Sequence, residues 1–529
     1  MSNITKPITF WVGVAALVAL GILAYVLNET VFQPLPIAQA SEVVELKNGD
    51  SYDMTAYWVE KEINGKTYRM LSYNGTIPGP MIKVAQGAEI TVNFRNKTNM
   101  KTLLHSHGVR MENAFDGSQT TQEEMEPGEL FSYRLKFSDA GMFWYHPHVR
   151  EDYEQELGLY GNYLVVPASN DYWSPVNREV ALFLDDILIE NGKINLSERG
   201  ADRTLMGRFG NVMLVNGETD YWLATQKGEV IRFYVTNAAN TRPFNFAIEG
   251  ARMKLVGGDG GAYESDSLID SVILGPSERA VVEVLFEESG TFSIEHRTPN
   301  RTYKLGSVIV GNAPTDVSYA NDFAQLKTHQ ETVQSIDPFR PYFTVAPDKR
   351  ISLTVDMMGM SGMGGHMPAP YGTTGSRSGM PDGTMMGGMG MMGGVPEGGI
   401  EWEDEMGMMN AMSDTDSVQW HIVDQDTGKR DMGIDWTFAR SKLVKIRIFN
   451  DPKSAHPMQH PIHFHGQRFL VVARDGAAQT NLVWKDTVMV KAGETVDIVL
   501  DTSNPGTWMA HCHIAEHLEA GMMMKFTVQ

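Results

Sequence analysis

Cysteine is the scarcest residue in this chain: one, Cys512, among 529. A single thiol excludes an intramolecular disulfide, so the fold carries no covalent cross-link and no bridge marks its compartment. Positive charge is also short. Forty-four Lys and Arg face 65 Asp and Glu, a formal net charge of -21. That balance disfavours nucleic acid as a partner and favours the approach of cations. Long helical periods are scarce, and no twin-arginine pair precedes the apolar stretch near the N-terminus. Export of an already folded, metal-loaded chain is therefore not signalled.

What is present begins at that N-terminus. Lys6 precedes an apolar run from Ile8 to Leu27, about twenty residues and enough to span a bilayer. Ala38-Gln39-Ala40 follows and resembles a signal-peptidase site. Residues 1–40 are thus either an uncleaved membrane anchor or a cleaved signal. The positive charge before the run, with Glu29 and Glu42 after it, places the body outside the cytoplasm.

From Val43 onward the chain reads as short strands between turn residues. Ile82–Phe94 alternates about a glycine turn. Phe131–Phe137, Gly161–Pro167, Val180–Leu184, Val230–Val235, Val281–Leu285 and Thr291–Glu295 behave alike. β-Branched and aromatic residues broken by Gly, Pro, Asn and Asp predict an all-β chain of sandwiches or barrels. Expected domains run over 41–168, 172–312 and 345–529, with a low-signal linker before Ile351. The length allows three or four such units at about 150 residues each. Asp185-Asp186 and Gly257-Gly258-Asp259-Gly260-Gly261 read as turns. The third domain is interrupted at 357–412 by a glycine-rich segment holding fifteen of the 33 methionines, and His366. Its composition predicts a flexible segment with no packed core of its own. Thioethers in a glycine matrix suit cuprous ion, while an oxidation buffer or an adaptable apolar surface is the other use of such a composition.

The C-terminal stretch carries the densest chemistry. His511-Cys512-His513 is followed by His517 and Met522. Two imidazoles, a thiolate and a weak thioether form the ligand set of a blue-copper site. On a strand, His511 and His513 face one way and Cys512 the other, so one tripeptide can serve two metal centres. Ten of the fifteen histidines fall in four motifs: His105-Ser106-His107, His146-Pro147-His148, His460-Pro461-Ile462-His463-Phe464-His465, and the terminal one with His517. Each contains His-x-His, which puts both rings on one face of a strand. Eight paired imidazoles fit a multinuclear cluster better than a core, where each buried ring needs a partner.

Together with Asn74-Gly75-Thr76-Ile77-Pro78-Gly79-Pro80, these motifs in their order and spacing resemble the multicopper oxidases, the laccase and cuprous-oxidase family of three cupredoxin-like Greek-key β-sandwich domains. The resemblance covers nearly the whole chain after the N-terminal segment. It implies four copper ions: a type 1 copper on His460, Cys512, His517 and Met522, a type 2 copper on His105 and His463, and a type 3 pair on His107, His146, His148, His465, His511 and His513. Electrons from a reduced donor would pass through Cys512 to the cluster, where dioxygen becomes water. Domain two would be largely a spacer, and the protein a monomer. Asp116 stands where the family places a carboxylate near the cluster, as proton donor or orienter; a plain turn aspartate before Gly117 is the other reading. Leu518 departs from the acid that many relatives carry after the second type 1 histidine, with Glu516 and Glu519 nearby. The bacterial cuprous oxidases bind substrate copper beside the first type 1 histidine, where this chain has His456 and Met458. This pair and the 357–412 segment point to cuprous ion as donor, with phenols secondary; a polar loop is the plainer reading of the pair. The alternatives are a laccase or ferroxidase with a shielding loop, and a copper-delivery protein.

Overall fold

The computed structural model describes residues 34–357 and 394–529. The N-terminal apolar run and most of the methionine-rich segment lie outside the described residues. Among the described residues no helix is long and apolar enough to cross a membrane.

Strands dominate, and they pair into sheets that pack face to face. A four-stranded sheet and a five-stranded sheet occupy the first third of the chain, and six- and five-stranded sheets occupy each of the other two. The strands expected from alternation are present. Glu89–Asn96 buries Ile90, Val92 and Phe94 and turns the residues between them outward, the period-2 pattern of a half-buried strand. Val230–Asn237 is buried at every position. Its inner side joins Phe233 and Val235 to the core of the second unit, while Tyr234 packs with Met142 and Leu164 of the first. A sheet covered on both faces loses its alternation.

Two segments are more ordered than their sequence suggests. The stretch before Ile351 folds into Ala320–Ala324, Gln330–Ile336 and the turn Asp337–Tyr342. Ile336 and Phe339 pack there on Leu470, Val472 and Trp484 of the third unit. These helices are too short to show a period. The end of the methionine-rich segment also holds a short helix, Gly407–Ala411, whose Asn410 is buried. Asp185 and Asp186, read as a turn, lie instead within strand Arg178–Ile187. Both are buried, Asp185 accepting a bond from Tyr160 Oη at 2.7 Å and Asp186 from Arg242 Nε at 2.6 Å.

Candidate metal centre

Two hairpin-like pairings build the site. Leu104–His107 runs antiparallel to Gly141–Pro147, setting His105 opposite His146 and His107 opposite Trp144. His460–Phe464 runs antiparallel to Gly506–Cys512, with His463 opposite His511 and Ile462 opposite Cys512. His105, His107, His146, His463 and His511 lie on these four strands, and His148, His465 and His513 one residue past a strand end, so the first and third units together bring eight imidazoles into one place. Two glycines permit the approach. A Cβ on Gly117, at φ +76, would sit 1.9 Å from the Leu104 carbonyl oxygen, and one on Gly108, at φ +79, 2.2 Å from Asp486 Oδ2. Only glycine fits positive φ with so little room.

The eight rings form three groups whose ligand atoms lie within 4.8 Å of one another: His148, His465 and His511; His107, His146 and His513; His105, His107 and His463. Their outer hydrogen bonds fix the tautomers. His148 Nδ1 donates to Gln119 Oε1 (3.0 Å), His465 Nδ1 to Asp116 Oδ2 (3.0 Å) and His511 Nδ1 to the Cys512 carbonyl (2.8 Å). The three Nε2 atoms therefore carry lone pairs, yet they converge, 3.2 Å from His148 to His465 and 3.0 Å from His465 to His511. Lone pairs that close repel unless a cation lies among them. Burial pushes His465 and His511 down to about 3, so the rings are neutral rather than imidazolium.

The other two groups repeat the logic. His146 Nδ1 donates to the Pro147 carbonyl (2.7 Å), His105 Nδ1 to that of Asp116 (2.7 Å) and His463 Nδ1 to that of Asp486 (2.8 Å). His107 is turned round, its Nε2 donating to Asp486 Oδ1 at 2.9 Å. The inward atoms, Nε2 of His105, His146 and His463 and Nδ1 of His107, have no hydrogen-bond partner among the described residues, and neither ring nitrogen of His513 has one. Fully buried, unpartnered nitrogens aimed at a common space are what a metal cluster requires.

A separate group holds the thiol. Cys512 Sγ lies 3.6 Å from His460 Nδ1 and 3.9 Å from His517 Nδ1, and the two nitrogens are 3.3 Å apart. Burial pushes the Cys512 thiol well above its ordinary range, so a thiolate there needs a cation. The Ile514 N–H, 3.4 Å from Sγ, donates to it. Met522 is fully buried, and its carbonyl accepts the Cys512 N–H at 3.0 Å. The tripeptide thus faces two ways, as its alternation predicts: Sγ into this group, His511 and His513 into the cluster.

Asp116 is no surface turn. It is fully buried, bonded to His465 and, at 2.6 Å, to Ser118 Oγ, and burial raises its carboxyl above the ordinary range. The second unit, read as a spacer, reaches both centres. Arg279 donates to Asp486 Oδ1 (2.7 Å) and Oδ2 (2.5 Å), behind His107. Thr204 accepts a bond from Trp420 Nε1 at 2.8 Å, and that indole stacks on His517. Neither Arg279 nor Asp486 stands in a recognisable motif, so only the folded geometry reveals them.

Glu151 also went unnoticed in the sequence. It opens the short helix Glu151–Glu154, fully buried, with Oε1 3.5 Å from His148 Nε2. Neither of its oxygens has a hydrogen-bond partner among the described residues, and burial pushes its carboxyl well above the carboxylate range. Its signal was faint, an acid three residues after a His-x-His pair. Glu516, two residues before Leu518, accepts from Thr241 Oγ1 at 3.1 Å through Oε2, while its Oε1 has no hydrogen-bond partner among the described residues. Met458 is fully buried in the core of the third unit, while His456 lines a cavity of ≈ 640 Å³ with Glu401, Glu405, Met406 and Arg301.

Comparison with known proteins agrees with this geometry. Models of the family described as multicopper oxidase match residues 55–170, 180–309 and 403–529. The chain is similar to the multicopper oxidase MmcO of Mycobacterium tuberculosis, 26% identical over 87% of this chain and 83% of that one. It is similar also to the multicopper oxidase mco of Staphylococcus aureus, 22% identical over 90% and 88%. Among solved structures, a multicopper oxidase of Campylobacter jejuni described as a metallo-oxidase superposes with a TM-score of 0.68, at 23% identity, covering 94% of this chain and 96% of that one. McoA of Aquifex aeolicus gives 0.68 at 20% identity, covering 94% and 100%. Four motifs in order, three groups of converging imidazoles and three family domains along the chain have one explanation: the protein belongs to the multicopper oxidase family.

Proposed function

We propose that this multicopper oxidase takes its electrons from a small, soft cation, cuprous ion foremost, outside the cytoplasmic membrane, with residues 1–40 as anchor or signal. The domains span 41–168, 172–312 and 345–529. His460, Cys512 and His517, together with Met522, would hold the type 1 copper. His105 and His463 hold the type 2 copper. His107, His146 and His513 hold one type 3 copper, and His148, His465 and His511 the other. Copper bound there supplies one-electron oxidation of a donor at one end and reduction of dioxygen to water at the other.

The chain's own residues do the rest. Cys512 and its two neighbours join the groups through a few covalent bonds. Asp116 and Asp486 hold the imidazoles in the tautomers that leave lone pairs inward, as carboxylates behind metal-bound histidines do. Glu151 supplies a proton beside His148, where Leu518 offers none. Replacing Glu151 with Gln is expected to leave copper content unchanged and to slow dioxygen consumption roughly 10²-fold, the range of a lost general acid. Full activity in that variant would remove Glu151 from the reaction.

The observation that carries the choice of donor is the cavity beside His456. This ring is 3% exposed, its Nε2 has no partner among the described residues, and burial pushes it down to about 4. It is a neutral donor for a soft ion. Around it stand Glu401, Glu405 and Met406. Glu403, also in the wall, is occupied by Arg242 at 3.2 Å and by Tyr303. Burial, with Glu405 and Asp404 beside it, raises Glu401 to about 7. Below that pH Glu401 is protonated and attracts no cation; above it the carboxylate does. The KM for cuprous ion is therefore expected to fall as pH rises through about 7. His456→Ala and Glu401→Gln should each raise that KM roughly tenfold, about the 1.4 kcal/mol of one lost ligand, and Glu401→Gln alone should also flatten the pH profile. An oxygen electrode with cuprous ion as sole donor measures both. Unchanged KM in both variants would place the donor site elsewhere. The methionine-rich segment, on this reading, collects cuprous ion for the cavity. Storage or delivery alone gives no reason for the three converging imidazole groups.

A further inference from the structure

Residues 401–413, at the end of the methionine-rich segment, are bonded to the surroundings of both type 1 histidines. The first contact lies beside His460. Gln459, its neighbour in the chain, is not exposed at all, and both ends of its amide are spent on one residue. Its Oε1 accepts the Glu401 N–H at 2.7 Å, and its Nε2–H donates to the Glu401 carbonyl at 3.3 Å. The second contact reaches His517 by way of the second unit. Asn410, fully buried, accepts the Met206 N–H at 3.0 Å and donates to the Gly207 carbonyl at 2.8 Å and to Asp404 Oδ2 at 3.0 Å. Ser413 adds two bonds, its Oγ accepting the Leu205 N–H and its carbonyl the Arg203 N–H, each at 2.9 Å. Residues 203–207 are thus held along their length, and what they hold in turn is the type 1 group. Leu205 and Met206 pack in the core that contains Cys512, Ile514 and Met522. The Thr204 carbonyl accepts the Trp420 indole N–H at 2.8 Å, and that indole stacks on His517 with ring centroids 4.2 Å apart.

We propose that residues 401–413 form a clasp that positions the type 1 histidines, with Gln459 its anchor on the His460 side and Asn410 and Ser413 its anchors on the His517 side. This rests on the type 1 ligands proposed above. None of the three is itself a ligand, so each is a positioning residue. Hydrogen bonds in the layer behind metal-bound imidazoles orient the rings and tune the metal they hold. The clasp binds the chain before one histidine to the loop that supports the other, and so fixes the two rings relative to each other. Its bonds come from two amides, a hydroxyl and the backbone, with no thioether among them. Setting the type 1 group is therefore separable from collecting cuprous ion, the task of the methionines between 358 and 393.

The test uses the full-length, copper-loaded protein and two readouts that need no turnover. One is the visible band of the type 1 centre. The other is the ratio of reduced to oxidised type 1 copper at equilibrium with a fixed ferrocyanide–ferricyanide mixture in the absence of oxygen. Gln459→Leu and Asn410→Leu are each expected to move the band and to change that ratio roughly tenfold, the lower end of the effect of losing a group behind a metal ligand. Ser413→Ala should do the same more weakly, and Ser413→Thr, which keeps the hydroxyl, should return both readouts to the wild-type values. The two Ser413 variants decide the matter if the leucine variants do not fold. Serine in place of the methionines between 358 and 393 should leave band and ratio unmoved. A lower melting temperature with band and ratio unchanged in the Gln459, Asn410 and Ser413→Ala variants would confine the clasp to stability and overturn the proposal. An equal shift in the methionine-to-serine variant would assign the effect to the thioethers and overturn it too. A wild type with no intense visible band would instead sink the type 1 reading on which the clasp rests.

Discussion

Replacing Cys512 with serine is expected to remove the type 1 copper and the blue colour while the other three coppers stay bound. Cys512 is the one cysteine in the chain, so no other thiolate can take its place. A serine hydroxyl is a hard, neutral donor and does not replace a thiolate for copper. The cluster should survive, because its histidines are fixed by bonds the substitution leaves alone. His511 Nδ1 is held by the residue-512 backbone carbonyl, which serine retains, and His465 by Asp116. Turnover should fall by more than the roughly 10²-fold typical of losing a group behind a metal ligand, since the link between the donor and dioxygen ends is broken. Copper analysis, the visible spectrum and the oxygen electrode check the three parts. Loss of all copper would show that the two centres assemble as one unit.

The second large effect lies in the unit read from sequence as a spacer. Arg279→Met leaves the Asp486 carboxylate buried at a three-domain junction without its bidentate partner. Arg279 is fully buried, bonded also to the Met142 carbonyl at 3.0 Å, and faces Asp259 at 3.7 Å. Removing one member of a buried ion pair costs about 3–5 kcal/mol, so the thermal unfolding temperature should drop by several degrees. Lys485 remains with Asp259 at 3.0 Å, so the loss should centre on Asp486. Asp486 accepts the bond from His107 Nε2 and, through its carbonyl, the one from His463 Nδ1. Freed from Arg279, it orients both rings less well, and copper retention against a chelator should weaken roughly 10- to 100-fold. Chelator titration and a thermal melt are the measurements. A variant that melts lower yet keeps its copper would confine Arg279 to stability.

The histidine motifs were legible because His-x-His has a fixed meaning on a strand, and four copies leave little else to explain. The face-switching of His511-Cys512-His513 followed from the same geometry. Residues outside the motifs were not legible for physical reasons. Asp185-Asp186 carries the composition of a turn, but its burial depends on Tyr160 and Arg242 from elsewhere in the chain. Arg279, Asp486 and Thr204 act across domain interfaces, and interfaces leave no period in a sequence. Glu151 looks like any acid in a charged helical stretch until the fold buries it against His148. Met458 matched a spacing but went into the core, and the cavity took Glu401 and Met406 instead. Strand positions were clearest where one face is wet, as in Glu89–Asn96, and least clear where both are covered, as in Val230–Asn237.

The most direct test of the central claim is an electron count. The purified, copper-loaded protein is given a measured amount of cuprous ion, with dioxygen consumption and peroxide followed together. A chain with the full set of copper groups is expected to consume one dioxygen for every four cuprous ions, releasing water and no peroxide. Two cuprous ions per dioxygen with peroxide accumulating, or no uptake above the protein-free rate, would contradict the account.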